Sequence, residues 1–260
     1  LEIIKWLQEI RTPLLNFFFE AITFLGEETV MIVIIAFIYF LVNKQVGEKI
    51  SFTLFGTLML NNSLKGIFNM PRPFEVSNEV SPLRPQTATG ASFPSGHTQN
   101  AATFYTSIGL YLKKKWVWIV IGIVIFLIGF SRLYLGVHFP KDILAGAAIG
   151  IAWGFIGWKL YDRFAKNFQH KMILFLVQLI VFVPLLFFYE EFDMFIKVGE
   201  DFYKSVAIYF GFILAIAIEN KFVNFSTNIS NNKKILRFVI AIIVLFALQM
   251  GLKVVFPAGL

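Results

Sequence analysis

The chain has 260 residues, 57% of them hydrophobic and only 15% charged, with 32 phenylalanines, no cysteine and a mean hydropathy of +0.72. Soluble domains sit nearer half apolar and a quarter charged, so this composition describes an all-α, polytopic transmembrane bundle and excludes disulfides, thiol nucleophiles and cysteine-bound metals. The net charge of +7 reads as loop cations on one membrane face, not as a nucleic-acid surface.

In chain order, residues 1–10 place Ile3, Ile4, Leu7 and Ile10 on one helical face and Glu2, Lys5 and Glu9 off it. That is the pattern of an interfacial amphipathic helix, not the basic-then-apolar pattern of a cleavable leader. Pro13 breaks it. Residues 14–25 form a second apolar segment, short enough to be interfacial or re-entrant, and Gly26-Glu27-Glu28 marks a boundary. Spans are expected at 29–42, 50–70, 97–112, 116–134, 140–161, 172–189, 203–218 and 235–254. Lys44 and Lys49 are expected to bracket a tight turn before the second span. The division is therefore an interfacial unit at 1–28, a six-helix membrane core at 29–190 and further spans at 191–260.

Loop charge sets the orientation. Threading these spans puts loops 43–49, 113–115, 159–171 and 219–237 on one side. They hold more than half of the 23 lysines and arginines but only Glu48, Asp162 and Glu219 of the 16 carboxylates. Cytoplasmic loops carry the excess of Lys and Arg, so the ends of spans two and four and the starts of spans three and five are expected outside.

Three polar segments meet on that outer face. The first runs from Lys65 to Arg72-Pro73, the second is Pro94-Ser95-Gly96-His97, and the third runs from Ser131-Arg132 through His138 to Asp142. Ionisable groups at the edge of a membrane helix are expensive and usually functional. Lys65, Arg72 and Arg132 ask for an anion, and the planar donor fork of arginine suits phosphate. Ser95-Gly96-His97 opens a helix, whose free N–H groups and positive dipole end favour the same ligand. No carboxylate cluster or histidine pair stands at metal-ligand spacing, so no metal or other cofactor is expected. Two histidines remain for covalent and proton-transfer steps, and Asp142 beside His138 would orient its ring. His170 lies in a basic loop and reads as solvated.

Together the three segments resemble the signature of the type 2 phosphatidic acid phosphatase family, relatives of glucose-6-phosphatase and the vanadium haloperoxidases. In that family a lysine is followed after six residues by Arg-Pro, then comes Pro-Ser-Gly-His, then Ser-Arg, five residues, His, three residues, Asp. Every motif position is matched here, over about residues 50–160. The resemblance implies that His138 attacks phosphorus with Asp142 on its other nitrogen, and that His97 protonates the leaving oxygen and then activates water. It further implies that Lys65, Arg72, Ser95, Gly96 and Arg132 hold the phosphate oxygens.

The expected function is a metal-independent lipid phosphate or pyrophosphate phosphatase of a bacterial membrane, with its site facing outside. Undecaprenyl pyrophosphate, phosphatidylglycerophosphate and phosphatidic acid are the candidate substrates. A lipid phosphotransferase using the same phosphohistidine is the alternative; a transporter would show internal repeats and paired mid-bilayer charges. Helix packing, a homodimer contact and a substrate groove are all compatible with residues 171–260.

Overall fold

The computed structural model describes residues 1–182 and 200–255. In chain order its helices are α1 (Glu2–Glu9), α2 (Pro13–Phe24), α3 (Glu28–Phe37, continued by a π turn at Ile38–Val42), α4 (Lys44–Phe68), the short α5 (Pro73–Val76), α6 (Gly96–Leu112), α7 (Lys115–Tyr134), α8 (Pro140–Phe164), α9 (Phe168–Phe182), α10 (Glu200–Ile218, continued by a π turn at Glu219–Val223) and α11 (Asn231–Val255). Among the described residues there is no strand, in keeping with the all-α reading. The far end of the sixth expected span and most of the acidic stretch after it, residues 183–199, lie outside the described residues, as do 256–260.

Among the described residues three helices are each long and apolar enough to cross a bilayer: α7, α8, and α10 with its π turn. The pair α2 and α3, bent by 51° at their junction, passes only when taken together. The helices α4 and α6 are more polar for a structural reason. Their Asn61, Ser63, Lys65, Gln99 and Thr103 are all buried, and most of these bond to neighbouring helices. Asn61 Nδ2 donates to Gln99 Oε1 at 2.9 Å, Gln99 Nε2 to Thr57 Oγ1 at 3.0 Å, and Thr103 Oγ1 to the Gly150 carbonyl at 2.9 Å. Within a bilayer, apolar faces gain little by meeting each other, so small residues and interhelical hydrogen bonds do the packing.

The glycines of α8 show how close that packing is. A Cβ at Gly150 would stand 2.3 Å from the Gln99 carbonyl oxygen, and one at Gly146 would stand 2.8 Å from that of Ser95. With Gly154 and Gly157 meeting Thr106 and Thr53 in the same way, one face of α8 lies directly on α6 and α4. At its outer end the Ser95 N–H donates to the Asp142 carbonyl at 3.0 Å, locking the start of α6 to the start of α8.

Two local expectations differ from the structure. The stretch 44–49 is helix, not turn: Asn43 caps α4, its Oδ1 accepting from the Val46 N–H at 3.1 Å. Lys49 then pairs with Asp162 and lies 3.5 Å from the centre of the Trp158 ring, while Glu48 accepts from the Tyr161 hydroxyl at 3.0 Å. A side-chain cap satisfies a free helical N–H, which lets the helix begin a turn earlier than hydropathy alone indicates. In α1 the apolar face is narrower than the sequence pattern. Ile4 and Leu7 are buried against Val80, Leu133, Tyr134 and Val137, whereas Ile3 and Ile10 are exposed. The helix therefore braces the turn that leads to His138.

Candidate active site

The three polar segments converge on one cavity of about 520 Å³, lined in part by Lys65, Arg72, Gly96, His97 and His138. Each comes from a helix end. Lys65 stands in the last turn of α4 and Arg72 immediately precedes α5, whose first turn closes when Glu75 accepts from the Arg72 N–H at 2.7 Å. Ser95 caps α6, placing Gly96 and His97 in its first turn, where backbone N–H groups have no intrahelical partner. Between α7 and α8 the chain turns sharply at Gly136, with φ of 74°, a value that favours glycine. That turn delivers His138. Pro140 opens α8 and Asp142 follows in its first turn, its Oδ2 accepting from the Phe139 N–H at 2.8 Å.

His138 is almost wholly buried, and its two ring nitrogens face different partners. Nδ1 lies 3.5 Å from Asp142 Oδ2, and Nε2 lies 3.3 Å from the Arg72 guanidinium. The Asp142 contact is looser than a direct hydrogen bond because a serine intervenes. Ser92 donates to Asp142 Oδ2 at 2.6 Å, and its oxygen is 3.5 Å from His138 Nδ1. With Arg72 as donor, Nε2 carries the lone pair and faces the cavity wall. Burial, reinforced by the charges of Arg72, Arg132 and Lys65, holds the His138 imidazole well below its ordinary range, so the ring is neutral at neutral pH. Across the cavity His97 Nε2 is buried without a hydrogen-bond partner.

The cations are not equally placed. Arg72 is 2% exposed, and its guanidinium donates to the carbonyls of Thr89, Gly90 and Val137 at 2.6, 3.0 and 3.0 Å. Burial lowers it to about 10, which leaves it charged at neutral pH. Lys65 Nζ donates to the Thr89 carbonyl at 3.0 Å, leaving further donors for a ligand. Arg132 and Ser95 are fully buried behind the wall. Arg132 donates to Thr23 Oγ1 at 2.9 Å and the Ser95 hydroxyl lies 3.0 Å from that of Thr98. The Arg132 Nε has no partner. No trio of His, Asp and Glu stands at metal-binding distance among the described residues.

Several site residues are not evident from the motifs. Ser92 has no distinguishing signal in a loop rich in serine and threonine. Glu28, read as a boundary residue, and Asp201, which falls between two expected spans, both line the cavity. The cation cluster is thus better compensated than the motifs alone indicate. The glycine stripe Gly146-x3-Gly150-x3-Gly154-x2-Gly157, which the motif reading does not use, accounts for the approach of α8.

Two histidines share this cationic cavity at one end of a membrane bundle, and one of them is backed by a carboxylate. Residues 48–166 match the profile described as PAP2 superfamily, and residues 203–260 match that described as PAP2 superfamily phosphatase, transmembrane extension. Phosphatidylglycerophosphatase B of Bacillus subtilis is 35% identical over 175 residues, covering 62% of this chain and 82% of that protein. An undecaprenyl-diphosphatase of Sulfolobus acidocaldarius is 32% identical over 126 residues, covering 48% of this chain and 60% of that protein. Among solved structures, a transmembrane PAP2 type phosphatidylglycerolphosphate phosphatase from Bacillus subtilis superposes with a TM-score of 0.55 at 33% identity, covering 64% of this chain and 86% of that one. The chain belongs to the PAP2 superfamily and is an integral-membrane phosphatase.

Proposed function

We propose that this protein hydrolyses a lipid phosphate at the outer leaflet, without a metal, through a phosphohistidine on His138. The observation that carries the reading is the division of labour around the His138 ring: Nδ1 is turned toward Ser92 and Asp142, and Nε2 toward Arg72 and the cavity. In the first step Nε2 attacks phosphorus in line, the bond to the leaving oxygen breaks, and His97 supplies the proton that oxygen needs. In the second, His97 takes a proton from water, whose oxygen attacks phosphorus and breaks the P–N bond, releasing phosphate and restoring the imidazole. Asp142 stabilises the positive charge on the phosphorylated ring. Lys65, Arg72 and the Gly96 N–H hold the non-bridging oxygens, while Arg132 and Ser95 support them from behind. Fixed donors aimed at developing charge are the main source of rate in such a site.

The cavity lies at the helix ends farthest from the paired charges Lys49–Asp162 and Glu48–Lys171. Sixteen residues of α4 separate Lys49 from Lys65, about 24 Å along a helix. Basic loops at the first end support a cytoplasmic assignment for it and an outer position for the site. Phosphatidylglycerophosphate, undecaprenyl pyrophosphate and phosphatidic acid remain the substrates in view. The exposed apolar faces of α9 and α11 suit lipid or a second copy of the chain, which light scattering in detergent distinguishes.

The test is phosphate release from these lipids in detergent. Retained activity in EDTA, inhibition by orthovanadate and an acid-labile phosphoenzyme are expected. A strict Mg²⁺ requirement would contradict the metal-free site, and labelled phosphate recovered on an acceptor hydroxyl in place of water would make the enzyme a phosphotransferase.

A further inference from the structure

The cavity has a second wall, and its chemistry is opposite to that of the cradle. Where Lys65, Arg72 and Gly96 present donors, the side reached from His97 presents Asn100, Glu28 and Asp201. Asn100 stands one helical turn beyond His97 on α6. Its side chain is 5% exposed and its Oδ1 is buried with no hydrogen-bond partner. The amide's Nδ2 is oriented toward Glu28, at 3.5 Å from Oε1, so Oδ1 is the end left as a free acceptor. Glu28 reaches the cavity because the α2–α3 junction is pressed against α6. A Cβ on Gly26 would meet Ile128 at 2.9 Å and the His97 carbonyl oxygen at 3.4 Å.

The other charges at this wall are accounted for. Glu27 is paired with Arg84 at 3.0 Å. Lys204 is held by Glu200 at 2.5 Å and lies 4.0 Å from Asp201. Across the cavity, Lys65 is close enough to feel both Asp201 and Glu28. What remains for a ligand on the His97 side is a set of acceptors, the free amide oxygen of Asn100 and the carboxylate of Glu28, with the Asp201 carboxylate shared with Lys204 in the same cavity.

His97 marks the side on which the leaving group departs, so these acceptors face the leaving group and not the transferred phosphoryl. We propose that Glu28, Asn100 and Asp201 form a leaving-group pocket that selects phosphomonoesters whose headgroup carries hydroxyl or ammonium donors and disfavours pyrophosphates. The inference rests on the phosphatase reading above and adds to it the class of headgroup. A hydroxyl or ammonium satisfies Asn100 Oδ1 and Glu28. The second phosphate of a pyrophosphate, bonded directly to the leaving oxygen, would instead sit against carboxylates in a confined cavity, where like charges repel strongly, whereas the phosphodiester of phosphatidylglycerophosphate stands a glycerol's length farther away. A site built to hydrogen-bond a donor also discriminates against a substrate lacking it, since its buried acceptor is then left unpaired.

The experiment compares kcat/KM for three lipids in one detergent: phosphatidylglycerophosphate, with a donor-bearing headgroup; phosphatidic acid, without one; and a polyprenyl pyrophosphate. The wild-type protein is expected to prefer the first. Glu28→Gln removes the charge and keeps the shape. It should raise kcat/KM on the pyrophosphate and shrink the preference for phosphatidylglycerophosphate over it by about tenfold. Asn100→Ala should lower phosphatidylglycerophosphate hydrolysis more than phosphatidic acid hydrolysis. A gain on one substrate cannot come from misfolding. Equal losses on all three lipids in both variants, or an unchanged preference, would overturn the leaving-group pocket while leaving the phosphatase reading intact. No phosphate release by the wild type from any of the three would sink that reading, and this inference with it.

Discussion

Asp142 takes its shortest hydrogen bond, 2.6 Å, from Ser92, while His138 Nδ1 waits 3.5 Å away. A carboxylate held by a serine and by the Phe139 N–H keeps its place whether or not the imidazole is charged, and the histidine contact can tighten as positive charge develops on the ring. On the proposed mechanism His138→Ala removes the nucleophile, and phosphate release should fall by about 10⁴-fold or more, with circular dichroism and melting in detergent showing a folded protein. Ser92→Ala should be milder. It removes one hydrogen bond to a charged group, and kcat should drop about tenfold with KM little changed. The depressed pKa of His138 has a sign that kinetics can read. The neutral ring is the reactive form, so the acid limb of kcat/KM, which reports the free enzyme, should lie below pH 6.5, the ordinary imidazole value. The same shift means that the unfolded chain binds more protons than the folded one in that range. The stability contributed by neutral His138 is therefore present above the unfolded pKa and lost as pH falls below it. A melting temperature in detergent that rises on acidification would contradict this.

Helix ends, more than helices, build the site: α4 and α7 bring cations at their last turns, and α6 and α8 bring His97 and Asp142 at their first. Their mutual position depends on how closely α8 lies on α6. Gly150→Ala would push a methyl to within 2.3 Å of the Gln99 carbonyl oxygen, where backbone on one side and backbone on the other leave nothing flexible to yield. Overpacking of this kind costs about 1–3 kcal/mol, and melting temperature and activity should fall together. Gly122→Ala is the matched control. Its Cβ would meet nothing within 4 Å, and alanine is the better helix former, so melting should hold or rise. Outside the core, α1 and the α2–α3 junction are not mere membrane ballast. The former braces the turn before His138, and the latter carries Glu28 to the cavity.

At the scale of the whole molecule, the cation-rich end of α4 and α8 is set apart from the catalytic end by the length of the bundle. The absence of cysteine from the sequence makes that arrangement directly testable. A single cysteine at Asn78, exposed near the site, should react with a membrane-impermeant maleimide on intact cells. One at Gln169, exposed in the first turn of α9 beside the basic segment, should react only after the membrane is opened. The reverse labelling pattern would place the site in the cytoplasm.

The sequence alone determined the all-α membrane class of fold, helices over most of the expected spans and the family signature. Apolar run length, loop charge and motif spacing are local properties, and a bilayer leaves helices as the natural way to satisfy the backbone. It also held Pro140 and Asp142 correctly at the start of α8, since proline and a carboxylate in a first turn carry their own signal. Only the tertiary structure decided that Ser92 stands between Asp142 and His138, fifty residues from the former in the chain. Only it decided that Arg132 and Ser95 lie behind the cavity wall and that Glu28 and Asp201 help to line it. Those are questions of distance between remote segments, settled by how closely glycine faces allow helices to approach, and no spacing within a single segment encodes them.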